Sequence, residues 1–93
     1  MGKVVITARI MPKDPSADLD LIEKKSIEII KGVVGKTDTK TVRSPIAFGL
    51  IALDITFMSD EDAGSPDDLI EPDVLKIEGV NSFNVTDVRR ALG

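Results

Sequence analysis

Between residues 3 and 11 the apolar positions recur every second residue. Val4, Ile6, Ala8 and Ile10 fall on one side of an extended chain, in a run rich in β-branched residues. From residue 19 the period changes. Leu19, Ile22, Ser26, Ile29, Ile30 and Val33 recur at helical spacing, with Lys24, Glu28 and Lys31 facing away. This switch from a period of two to about 3.6 constrains the fold most, because a one-sided strand and a striped helix must bury their apolar faces against each other.

The punctuation between the periodic segments is clear. Pro12-Lys13-Asp14-Pro15 ends the first strand, since proline lacks a ladder donor and fixes φ. Asp18 is placed to cap a helix over residues 18–31, with Asp20 and Glu23 near its positive end and Gly32 and Gly35 as stops. Residues 37–46 read as a second strand. Pro45 within it, with Lys40 and Arg43, assigns it to a sheet edge. Ala47-Phe48-Gly49 is a tight connection. Residues 50–58 form a third strand, in which Leu53, Ile55 and Phe57 alternate with Asp54, Thr56 and Met58.

After an acidic loop at residues 59–64, Ser65-Pro66-Asp67-Asp68 starts a second helix, whose apolar face is Leu69, Ile70, Val74 and Ile77. Pro72 either kinks this helix or begins it, and Gly79 closes it. Residues 80–89 are the last strand, with Phe83 and Val85 inward. The order is β-α-β-β-α-β, in one domain over residues 1–93. The simplest burial is an α+β, ferredoxin-like two-layer sandwich: helices on one side of a four-stranded antiparallel sheet. The more apolar first and third strands belong at its centre, and the second and fourth at its edges.

Composition removes whole classes of chemistry. There is no Cys and no His, so thiol nucleophiles, disulfides, cysteine zinc sites and the commonest general base are excluded. Sixteen acidic residues oppose twelve basic ones. Nine acids and a single lysine fall between Asp54 and Glu78, a surface that repels phosphate backbones. No run of about 18 apolar residues is present to span a membrane, and the opening residues lack a signal peptide's apolar core. The expected compartment is the cytoplasm.

Individual constellations add little chemistry. Asp60-Glu61-Asp62 with Gly64 has only part of a calcium loop's spacing. Gly32-Val33-Val34-Gly35 has the form of a KH clamp loop but sits where a helix should end. Phe57 and Phe83 read as core, not as stacking platforms for RNA. Among the carboxylates only Asp54 lies in an apolar stretch, and alternation turns it outward.

Two features stand apart. Pro45-Ile46-Ala47-Phe48-Gly49-Leu50 places an aromatic at a hairpin tip between small residues, where it either folds back on the core or projects as an anchor. Val85-Thr86-Asp87-Val88-Arg89-Arg90 ends an acidic chain on two arginines. With Met1-Gly2-Lys3-Val4-Val5 and Glu78-Gly79-Val80, these segments resemble the archaeal elongation factor 1-beta family over essentially the whole chain. The resemblance implies a ferredoxin-like fold and a guanine-nucleotide exchange factor for elongation factor 1-alpha. It implies no bond chemistry and no cofactor, metal, direct nucleic-acid contact or membrane contact. In eukaryotic relatives a phenylalanine in a matching Pro-Ile-Gly-Phe-Gly segment inserts into the GTPase. Phe48 holds that place, with Pro45, Ala47 and Gly49 around it and Ala47 in place of a glycine. A near-terminal lysine of those relatives reaches the magnesium site, and Arg90 aligns with it, Arg89 being the neighbouring candidate. Arginine is bulkier and forked.

From the fold alone, a different reading is a regulatory module that binds a small ligand as a homodimer. An acylphosphatase would need a glycine-rich arginine loop after the first strand, where this chain has Pro12-Lys13-Asp14-Pro15.

Overall fold

The computed structural model describes residues 2–91. Met1 and residues 92–93 of the C-terminal run lie outside them. The described residues form β1 (Lys3–Pro12), α1 (Leu19–Val34), β2 (Lys40–Pro45), β3 (Ile51–Asp60), α2 (Asp67–Val74) and β4 (Val80–Arg90). One-turn 3-10 segments occupy Ala47–Gly49 and Glu61–Ala63. The sheet order is β2-β3-β1-β4, with every neighbouring pair antiparallel. The expected element order, central pair and edge pair are all present.

Both helices lie on one face of the sheet. The alternation of β1 sends Ile6, Ala8 and Ile10 into the core. From β3 come Leu53, Ile55 and Phe57, from β4 Val80 and Phe83, and the helices close the layer with Ile22, Ile30, Ile70 and Val74. Phe57 is fully buried at the centre, and its truncation to Ala should cost about 3–5 kcal/mol.

Helix α1 begins as its sequence demands. The Asp18 carboxylate accepts from the Leu21 N–H at 3.1 Å, filling one of the four open donors of the first turn. It runs through Gly32 to Val34, beyond the expected end at residue 31. It stops at Gly35, whose φ of 83° carries the chain out while its N–H still donates to the Lys31 carbonyl. Gly32 therefore works as an exposed helical position and not as a stop.

The other departures are local. β2 is shorter than residues 37–46, because Thr37 leaves the ladder to accept from the Met58 N–H at 2.8 Å through its hydroxyl. Arg43 bends over to pair with Asp20 and Glu23 at the start of α1, which clamps the edge strand to the helix layer. β3 continues to Asp60, two residues into the expected loop. In α2, Ile70 and Val74 are buried, but Leu69 is 66% exposed. An eight-residue helix presents only one narrow stripe to the sheet, and Leu69 falls outside it. Pro72 does not begin the helix. It lies inside, on the exposed side, and removes only the donor that the Asp68 carbonyl would have used.

Candidate partner-binding site

The Phe48 turn is built by the hairpin. β2 and β3 pair up to Pro45 opposite Ile51, and the Ile46 N–H donates to the Leu50 carbonyl at 2.7 Å. Three residues are left to reverse the chain. Gly49 does so with φ 77°, and Phe48 itself takes φ 63° and ψ 29°. Phe48 is the only described non-glycine residue at positive φ. The left-handed conformation costs an L-residue roughly 1–2 kcal/mol, and a bulky side chain seldom adopts it.

Here that conformation throws the ring away from the protein, leaving Phe48 94% exposed. The projecting alternative is therefore the one the fold adopts. Ala47, Gly49 and Pro45 around it are exposed too. Pro15, from the β1–α1 connection, lies beside Gly49 and supports the turn from below, close enough that a Cβ there would touch its ring at 3.7 Å.

The arginines end β4 at the other end of the sheet. Val4 lies opposite Arg90 and Val5 opposite Arg89, so the two side chains leave on opposite faces. A β-bulge decides which goes where. Ala8 pairs with Val85 but Thr7 pairs with Asp87, so Thr86 is the extra residue. Its hydroxyl donates to the Thr7 carbonyl at 3.3 Å. Unbroken alternation from Phe83 and Val85 would turn Arg89 to the helix side. The bulge turns Arg90 there instead, and Arg89 to the open face. Each arginine meets an acid of its own chain: Arg89 Nε lies 2.8 Å from Asp87 Oδ2, and Arg90 pairs with Glu61. Both remain about three-quarters exposed.

Phe48 and Arg90 are thus not gathered into one pocket. β1 runs the whole way between their ends, ten residues at about 3.3 Å each, or roughly 30 Å. Between them the open sheet face is polar. Arg9 donates twice to Asp54, Nε at 2.8 Å and Nη2 at 3.0 Å, and the Ser44 hydroxyl donates to Asp54 at 2.7 Å. The Arg9 guanidinium holds the Asp54 carboxyl below the usual carboxylate range; burial opposes this and Ser44 supports it. Asp54 therefore faces outward as expected, but as a fixed anion and not as a proton donor.

The remaining constellations resolve in similar ways. Gly32-Val33-Val34-Gly35 is the last turn of α1 and its cap, not a clamp loop. Phe57 and Phe83 are buried. Asp60 accepts from Lys3 at 2.7 Å, and Glu61 is engaged by Arg90. Among the described residues no three metal-ligating side chains converge, and no helix is long and apolar enough to cross a membrane. Sequence reasoning missed Glu61 as a partner of Arg90. The only signal was opposite charge, which many pairs in a chain this charged share.

Comparison with known proteins gives a consistent result. The family model described as the EF-1 guanine nucleotide exchange domain matches residues 5–91. Elongation factor 1-beta of Methanothermobacter thermautotrophicus is 39% identical over 93 residues, covering 99% of this chain and 100% of that protein. The corresponding protein of Methanobrevibacter smithii is 35% identical over 92 residues, with 99% and 100% covered. That of Thermococcus gammatolerans is 33% identical over 87 residues, with 94% and 93% covered. Among solved structures, a de novo designed protein with ferredoxin fold, determined by solution NMR, matches with a TM-score of 0.50 at 18% identity, covering 94% of this chain and 87% of its own. That last likeness concerns the fold alone.

Proposed function

The chain belongs to the EF-1 guanine nucleotide exchange domain family, the family of archaeal elongation factor 1-beta, and from that membership we propose how it acts on its GTPase. Its role is nucleotide exchange in translation elongation. The partner is elongation factor 1-alpha, and residues 1–93 act as a single exchange domain that makes and breaks no covalent bond. Phe48 docks, and Arg90 acts at the nucleotide.

The observation that carries this reading is Phe48. A bulky apolar ring held 94% exposed in a left-handed turn does nothing for the folded monomer. It gains its burial in a complex, where aromatic anchors dominate the binding energy. Pro45, Ala47 and Gly49 keep the surroundings small, so that the ring enters a pocket unobstructed.

At the other end Arg90 brings a permanent cation on an anchored strand. Mg²⁺ holds the nucleotide of a GTPase by neutralising its phosphates. A guanidinium brought near that ion repels it and competes for its carboxylate and hydroxyl partners. Binding the empty GTPase more tightly than the loaded one weakens nucleotide binding by the same factor.

The test is release of fluorescent GDP from the cognate elongation factor 1-alpha. Substoichiometric amounts of this protein should accelerate release. No acceleration at a severalfold molar excess would refute the reading.

A further inference from the structure

Arg90 sits near the end of the chain, yet its guanidinium is not left to wander. We infer that Glu61 is the positioning residue of Arg90: a carboxylate carried on a tied-down stretch of main chain that presets the arginine for the exchange step. The inference rests on the role given to Arg90 above.

Three observations converge on Glu61. First, its main chain is tied down, because its N–H donates to the Gly2 carbonyl at 2.9 Å just as β3 ends. Second, its side chain lies against the N-terminal backbone so closely that a Cβ at position 2 would run into its carboxylate. Third, that carboxylate receives Arg90, whose own strand is held in place one residue later by the Ala91 N–H donating to the Lys3 carbonyl at 2.9 Å. Three separate chain segments therefore meet around a single ion pair, and the bulge at Thr86 is what sends Arg90, not Arg89, to that side.

A long arginine side chain loses rotamer freedom when it is used, and a side chain already oriented loses less at that moment. The pair is exposed, with Arg90 76% accessible, so it biases the arginine without locking it away. Exposed pairs of this kind change populations by a few-fold and not by orders of magnitude. Glu61 thus orients a charge that the partner can still take up.

The experiment is stopped-flow release of fluorescent GDP from elongation factor 1-alpha over a range of exchange-factor concentrations. Glu61→Gln keeps the side-chain shape and removes the charge. It should lower the maximal rate two- to fivefold and leave the half-saturating concentration unchanged. In an Arg90→Ala background, Glu61→Gln should have no further effect. NMR of the Arg90 side-chain Nε–H, on the exchange factor alone, should show increased mobility in Glu61→Gln. An unchanged or raised maximal rate, a loss that persists without Arg90, or an Arg90 side chain equally mobile in both proteins overturns the inference. The two readings separate cleanly. If Arg90→Ala is slow and Glu61→Gln is fast, the positioning role alone fails. If Arg90→Ala exchanges at the full rate, the role of Arg90 fails and takes this inference with it.

Discussion

Replacing Phe48 separates what the residue does for the fold from what it does for binding. A phenylalanine side chain buries about 150–250 Å², and at 94% exposure nearly all of it is still in water in the free protein. At about 25 cal/mol per Å², complete burial in a partner is worth at most roughly 4–6 kcal/mol. Ordering and imperfect fit reduce that figure, and the expected loss for Phe48→Ala is about 2 kcal/mol or more, on the order of 30-fold in Kd. Stability should change by less than about 0.5 kcal/mol, as for other surface substitutions.

Phe48→Gly sharpens the test. Glycine adopts φ 63° without the side-chain penalty, so relief of the left-handed strain should make the fold about 1 kcal/mol more stable. The same substitution should weaken docking at least as much as alanine does. Urea melts give the stability, and titration against nucleotide-free elongation factor 1-alpha gives the Kd. A loss of about 3–5 kcal/mol of stability in Phe48→Ala would mean the ring belongs to the core. An unchanged Kd would mean it is no anchor. Either result refutes the reasoning.

Other expectations follow from the same structure. Arg90→Ala should lower the maximal exchange rate with little change in affinity, and Arg90→Lys should keep most of the activity; saturation kinetics distinguish the two effects. Ser26 is fully buried in α1 and its hydroxyl has no hydrogen-bond partner among the described residues, so Ser26→Ala should raise stability by about 1 kcal/mol, seen as a rise in Tm of about 4–8 °C. Asp54 has a folded pKa below its unfolded value, near 3.9. Its contribution is therefore present above about pH 4 and lost as pH falls through the lowered value; Tm measured against pH should fall less steeply below about pH 4 in Asp54→Asn than in the parent. Pro72→Ala restores a helical donor within α2 and should stabilise by about 1–3 kcal/mol in thermal melts.

The architecture was legible because it rests on local periodicity. Val4, Ile6, Ala8 and Ile10 announce a strand, the stripe from Leu19 to Val33 announces a helix, and Pro45 confines β2 to an edge. What escaped depends on contacts between residues far apart in sequence. The bulge at Thr86 arises from a mismatch between β4 and β1, and neither strand signals it alone. Leu69 follows a helical stripe on paper, but α2 is too short to bury a wide one. The motif around Phe48 marked a tip, and left open whether the ring folds inward; the backbone conformation that projects it depends on a chain reversal between two paired strands. Arg9 and Asp54 are 45 residues apart and become neighbours only through the β1–β3 register.

The distance between Phe48 and Arg90 has a consequence of its own. Hydrogen-bonded strands do not stretch, so the sheet acts as a fixed gauge of roughly 30 Å. If both tips engage one GTPase, the gauge fits a single separation between the two patches they touch. A GTPase conformation that brings those patches nearer or farther apart can be held at one end only. Discrimination between the empty and loaded forms would then include a measurement of length, made along the sheet. Adding two residues to each of β1, β3 and β4 would reset the gauge by about 7 Å while leaving every side chain on its face.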